Sequence, residues 1–264
     1  MTTPIKPMIR RRGVLCRAAA LPWLAGLSGI AGAQPGGEAT LRMGGFVLAP
    51  MVTGSMHELL TGLLRVLLTR DVAPNVSSHF KWLEASSLAR VFVGLQDGSI
   101  DVLLLRADLP QPLEGAALFS WHTMESQATL AVPMDSKLRE IRSLQQLAGL
   151  SLGRQLGSPL PAEMEGLPIK WVFPPGQNWQ ISNLRMTAAG RLDGSVFYNA
   201  VSPAYLVKTE GIAVRLLPLP LPPVRFYMWH SLRTDKAAIA EFDRVAGAAF
   251  RGPLFRQMLE DALK

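Results

Sequence analysis

Cysteine is almost absent from this chain. Cys16 is the only one, so there is no intrachain disulfide, and a single thiol cannot build a thiolate metal site. Histidine is scarce too. His57, His79, His122 and His230 are scattered without H-x-x-x-H or H-E-x-x-H spacing, so the sequence offers no metal site and calls for no cofactor. No P-loop is present, and basic residues are not interleaved with aromatics as nucleic-acid binders require. Acidic residues are missing altogether from the first 33 positions, which hold Lys6, Arg10, Arg11, Arg12 and Arg17. Without that segment the formal charge of +7 falls to 22 basic against 20 acidic side chains, a net +2, which removes most of the case for a polyanionic partner.

What is present at the start is a leader. Residues 9–33 read IRRRGVLCRAAALPWLAGLSGIAGA: a basic stretch, an apolar run over 18–30, then Ala31-Gly32-Ala33 as a small-x-small cleavage site. The apolar run is shorter than the ~20 residues that span a bilayer and is broken by Pro22, Gly26 and Gly29. Export with cleavage near Ala33 is expected, by the twin-arginine or the general secretory route, both of which the Arg11-Arg12-Gly13 run allows. Cys16 leaves with the leader. The mature chain has no stretch long enough for stable membrane insertion, so it is expected in the periplasm if the host is Gram-negative.

The mature chain is organised around residues 87–106, SLARVFVGLQDGSIDVLLLR. Leu88, Val91, Phe92 and Leu95 recur at helical spacing behind Ser86 or Ser87 as N-cap, Gly98 ends the helix, and the apolar run 100–105 reads as a strand. The same unit recurs in NLRMTAAGRLDGSVFYN, 183–199, where Gly190 and Asp193 follow Gly98 and Asp101 at an identical offset of 92 residues. A first strand over 39–47, a leucine-rich helix HELLTGLLRVLLTR with Ser55 as N-cap, and a strand over 76–83 complete a β-α-β-α-β order, which predicts a mostly parallel, doubly wound sheet. Ligands of such sheets bind beyond the carboxyl ends of the strands. After Pro133 the chain restarts with a short helix ending at Gly149, a strand over 150–154 and the loop Gln155-Leu156-Gly157-Ser158-Pro159, expected to expose backbone N–H groups at a helix start. Pro218, Pro220, Pro222 and Pro223 mark a second connection, followed by a strand over 225–229 and two C-terminal helices.

Taken together, Arg90 with Gly98-x-x-Asp101, Phe119-Ser120 before a strand, Ser143-Leu144-x-x-Leu147-x-Gly149, Gly157-Ser158, and Gly190-Arg191-Leu192-Asp193 with Tyr205 downstream resemble the bacterial extracellular solute-binding proteins of family 3. The resemblance implies two doubly wound α/β lobes of the type II periplasmic binding fold, joined by hinge crossovers near Pro133 and Pro222. Lobe 1 would hold 34–132 and 223–264, and lobe 2 residues 133–222. It also implies a non-enzymatic, monomeric receptor that captures a small solute for the inner-membrane permease of an ABC-type importer. Amino-acid binders of the family hold the carboxylate with an Arg in a Thr/Ser-x-x-Arg segment, where this chain reads LLLRADLPQP with Arg106 early. They hold the ammonium with an Asp at the position of Tyr198. With both charge clamps changed, a small polar or aromatic solute is expected rather than an α-amino acid.

The candidate ligand-binding residues are Phe46, Trp82, Glu84, Arg106, Trp121, Gly157, Ser158, Tyr198 and Asn199. Aromatics near strand ends suit cleft walls, although Phe46, Trp82 and Trp121 would fill a core equally well. Arg106 is the candidate ligand-facing charge, against a solvated arginine. Asp101 and Asp193 read as structural anchors for loop N–H groups. The rival reading is a secreted enzyme on the same scaffold, similar to cyclohexadienyl or prephenate dehydratases, with Glu84 as its general acid. A sensory or degenerate binding protein is the third.

Overall fold

The computed structural model describes residues 39–55, 58–108, 113–176 and 178–264; the expected leader, 9–33, lies outside them. The chain runs β1 (Thr40–Gly44), α1 (Leu63–Leu67), β2 (His79–Trp82), α2 (Leu88–Asp97), β3 (Val102–Ala107), β4 (Ala116–Leu118) and β5 (Met124–Ser126). It continues with β6 (Thr129–Pro133), β7 (Ser151–Gly153), β8 (Lys170–Val172), α3 (Trp179–Ala188), β9 (Gly194–Phe197), α4 (Val201–Thr209) and β10 (Val214–Pro218). Then come β11 (Val224–Ser231), α5 (Lys236–Arg251) and α6 (Leu254–Leu263).

The described strands fall into two sheets, ordered β2-β1-β3-β11-β4 with β5 also on β11, and β10-β6-β9-β7-β8. Each holds the same kernel. β1 lies parallel between β2 and β3, and β7 lies parallel between β8 and β9. On each kernel's open side sits an antiparallel strand, β11 on β3 and β6 on β9. The sheets are thus mixed rather than mostly parallel, because the strand that follows each crossing between sheets enters antiparallel.

The recurring helix-Gly-Asp-strand unit is what sets each kernel. In the first sheet Ser87 caps α2, its side chain accepting from Arg90 N–H, and Gly98 ends the helix at φ 80°. Asp101 then exchanges two bonds with the neighbouring strand: its N–H donates to Arg42 O at 3.0 Å and its Oδ2 accepts Arg42 N–H at 2.8 Å. The second sheet repeats this. Gly190 turns at φ 66°, the Asp193 N–H donates to Ser151 O at 3.0 Å, and Asp193 Oδ2 accepts Ser151 N–H at 2.7 Å. The carboxylates differ in setting. Asp101 is 3% exposed and also accepts from Arg42 Nε (2.7 Å), Arg42 Nη2 (2.9 Å) and Thr234 Oγ1 (2.8 Å), whereas Asp193 is exposed.

Two expectations are corrected. The leucine-rich helix begins only at Leu63. Leu59 pairs with Glu84, Leu60 N–H donates to Leu83 O at 2.9 Å, and Gly62 breaks the run at φ 99°, where a Cβ would lie 2.6 Å from Met51 O. The first crossing is the second. β6 already belongs to the second sheet, so the chain passes between sheets at Gln127-Ala128 rather than near Pro133. It runs there beside the return segment: Gln127 Nε2 donates to Leu219 O (2.6 Å) and Leu221 O (2.7 Å), and Leu219 N–H donates to Ala128 O (2.8 Å). Pro218 ends β10, an edge strand, as a proline requires.

Burial raises the Asp101 carboxyl, but the hydrogen bonds from the Arg42 side chain and backbone and from Thr234 outweigh it and hold the group below its ordinary value. Asp101→Asn is expected to lower unfolding stability by roughly 2–3 kcal/mol at pH 7, and Asp193→Asn by about 1 kcal/mol or less, in urea titrations. Because the folded-state value is depressed, the Asp101 contribution is complete above about pH 3.9, its unfolded value, and drains as pH falls through the lower folded one. The gap between wild type and Asp101→Asn is expected to close only in that acid window.

Candidate functional site

Four strand ends point their continuations at the same space. Gly44 and Gly45 carry β1 into Phe46, β3 ends with Arg106 and Ala107, β7 runs into Arg154 and Gln155, and β9 runs into Tyr198 and Asn199. All of these except the two glycines line one cavity between the sheets, with about 550 Å³ of free space including its opening to solvent. Leu88 and Phe92 from α2, Trp179 from α3, Ser158, Pro159, Val196 and Phe226 close its walls. Phe46, Leu88, Gln155 and Trp179 also line a wider mouth of about 1120 Å³, where the first turn of α2 faces Leu156, Gly157 and Pro174-Pro175-Gly176.

Arg106 is 5% exposed, and its guanidinium lies over Trp229 (4.3 Å) and Phe92 (5.0 Å). Burial lowers its pKa and the charge of Asp108 raises it, the net shift being downward; an arginine remains protonated all the same. Arg154 enters from the other sheet. Gly153 pairs with Val172 and Arg154 N–H donates to Val172 O at 3.0 Å, which sets the side chain across Trp171 (5.0 Å) and Phe173 (5.2 Å), alternate residues on one face. Its Nη1 donates to Ser158 O at 2.8 Å, while its buried Nε has no hydrogen-bond partner among the described residues. Tyr198 donates to Pro159 O at 2.7 Å; burial raises its phenol above the usual value, and the neighbouring Arg154 charge opposes that only partly. Asn199 is buried, and its Oδ1 accepts Ser202 N–H at 2.7 Å at the start of α4. Trp179 stacks on Phe197 at 5.6 Å, its Nε1 buried without a partner among the described residues.

No family model matches the chain, and none of the curated proteins matches it. Solved structures do. An amino acid ABC transporter substrate-binding protein from Streptococcus pneumoniae, AbpA, bound to L-arginine, is 16% identical with a TM-score of 0.69, covering 85% of this chain and 94% of that one. An ancestral arginine-binding protein bound to arginine is 17% identical with a TM-score of 0.68, covering 86% and 99%. The GluR0 ligand-binding core with L-glutamate is 11% identical with a TM-score of 0.69, covering 88% and 100%. The chain has the type II periplasmic binding fold.

Within that fold, the structure gathers some of the expected site residues and disperses others. Phe46, Arg106, Ser158, Tyr198 and Asn199 line the inner cavity, and Gly157 lines the mouth. Trp82 lies under Arg65 (5.1 Å) and against Phe80, away from both cavities. Glu84 is exposed and pairs with Leu59. Trp121 belongs to the first lobe's core, stacked between Phe119 (5.4 Å) and Phe250 (5.0 Å), with Nε1 donating to Asp243 Oδ1 at 2.7 Å. The 155–159 loop does not open a helix; it leads to a single 3-10 turn, Ala162–Met164. Arg154 and Trp179 escaped the sequence reading, although Arg154 closes a strand whose carboxyl end was expected at the cleft.

Trp121→Phe is expected to cost roughly 1–3 kcal/mol of unfolding stability, by loss of the Asp243 bond and of stacking area. Any ligand-induced rise in melting temperature is expected to be the same as in wild type.

Proposed function

We propose that this protein is an exported, non-enzymatic receptor that captures a small solute between its lobes and delivers it to the inner-membrane permease of an ABC-type importer. The observation that carries this reading is the convergence of four strand ends, two from each sheet, on one cavity lined by aromatics and a few polar groups. The lobes approach each other about the paired crossings at Gln127-Ala128 and 219–223. The leader at 9–33 directs the chain to the periplasm, where it works as a monomer after cleavage near Ala33. Among the described residues no helix is long and apolar enough to cross a membrane.

Structures that share the fold are described as binding proteins, which supports a binding role here without assigning a ligand. No Asp or Glu is among the described residues lining the cavity or its mouth. Glu84, the general acid that a dehydratase would need, lies outside the cavity. A binding role therefore fits the site better than acid catalysis.

The test is a thermal-shift screen of the purified protein against amino acids, organic acids, polyamines and aromatic solutes, with turnover assayed for every hit. A ligand at 100 times its Kd is expected to add about 2.7 kcal/mol of stability and to be recovered unchanged. Chemical conversion of a stabilising compound would overturn the receptor reading, as would a complete absence of stabilising solutes.

A further inference from the structure

The cavity takes arginines from both sheets. Arg106 reaches it from the first sheet and Arg154 from the second, Arg90 stands in the first turn of α2 at the mouth, and no acidic residue lines either space among the described residues. The N-terminus of α2 adds the positive end of a ten-residue helix there. Beside these charges the walls are apolar: Phe46, Phe92, Trp179 and Phe226. Two further donors are left over. Arg154 Nε and Trp179 Nε1 are both buried and have no acceptor among the described residues, and Trp179 is only 7% exposed. A buried donor without an acceptor costs free energy that a ligand oxygen would recover.

The geometry points to a specific ligand class: a small organic anion, a carboxylate on an apolar body without an amino group, with Arg154 as the second-lobe anchor of its charged end. This inference rests on the receptor reading. An ammonium would enter a space that contains guanidinium groups from both lobes and, among the described residues, no lining acid to pair with, whereas a carboxylate pairs with Arg154. Arg154 is built for the role. Trp171 in β8 and Phe173 just beyond it lie against its guanidinium, Ser158 O fixes one nitrogen, and Nε remains for the ligand.

The experiment is isothermal titration calorimetry on the wild-type protein with probes that share a body and differ in charge: 3-phenylpropanoate, 3-phenylpropanamide, L-phenylalanine and 2-phenylethylamine, and the shorter 4-methylpentanoate, L-leucine and 3-methylbutylamine. The carboxylates are expected to bind at least about 100-fold more tightly than the amide or the amines, and each amino acid more weakly than its carboxylate. Arg154→Gln is expected to lose roughly 100-fold in carboxylate affinity and so to close most of the gap between carboxylate and amide, with Arg154→Lys in between. The wild-type probe series stands even if a variant fails to fold. Equal or tighter binding of the amide or an amine overturns the anion assignment while leaving the receptor reading in place. So does an unchanged carboxylate affinity in Arg154→Gln. Silence from every carboxylate, with a neutral or cationic solute found in the broader screen, does the same; silence from the whole screen overturns the receptor reading itself.

Discussion

Each half of this molecule is aligned by one aspartate that bonds sideways to the strand beside it. Asp101 with Arg42, and Asp193 with Ser151, exchange a pair of bonds at the point where the third kernel strand begins. That exchange fixes the register of β3 on β1 and of β9 on β7, and a one-residue slip would turn every side chain to the other face. Arg106 and Tyr198 reach the cavity only in the observed register. The turn that delivers each aspartate needs a left-handed residue, and glycine occupies it both times. The two clamps are not equal, since one is buried in a network of Arg42 and Thr234 and the other is open to solvent.

From the two aligned kernels the site follows by geometry. Parallel strands end together, so the loops beyond them share a space, and two such ends set face to face enclose it. What fills that space is decided by residue chemistry and not by the fold. Solved structures that share the architecture hold arginine, glutamine or glutamate; here arginines enter from both lobes and Tyr198 lines the cavity beside them.

Much of this was legible in the sequence, for reasons that particular residues make plain. The α2 unit could be read because Leu88, Val91 and Leu95 are buried on one helical face behind a serine cap. Its counterpart α3 could be found only as an echo, since it buries Gln180, Asn183 and Thr187 and has no clean apolar stripe. Leu59 and Leu60 misled, because an i, i+4 leucine pattern looks helical whether or not a neighbouring strand captures it, as residues 83–84 do here. Trp121 was out of reach. Its partners Asp243 and Phe250 lie on α5, more than a hundred residues away, and nothing local distinguishes a tryptophan at a cleft from one in a core. Arg154 was missed for a related reason: its importance depends on β8 lying alongside β7, which puts Trp171 and Phe173 under the guanidinium.

Gln127 sits where the chain crosses between the sheets, its one amide nitrogen donating to the carbonyls of Leu219 and Leu221 on the returning segment. Two acceptors spaced that way prevent the antiparallel segments from sliding past one another, since any axial shift would break one bond before the other. The side chain therefore ties the two connections to each other, so that neither shifts along its length without its neighbour.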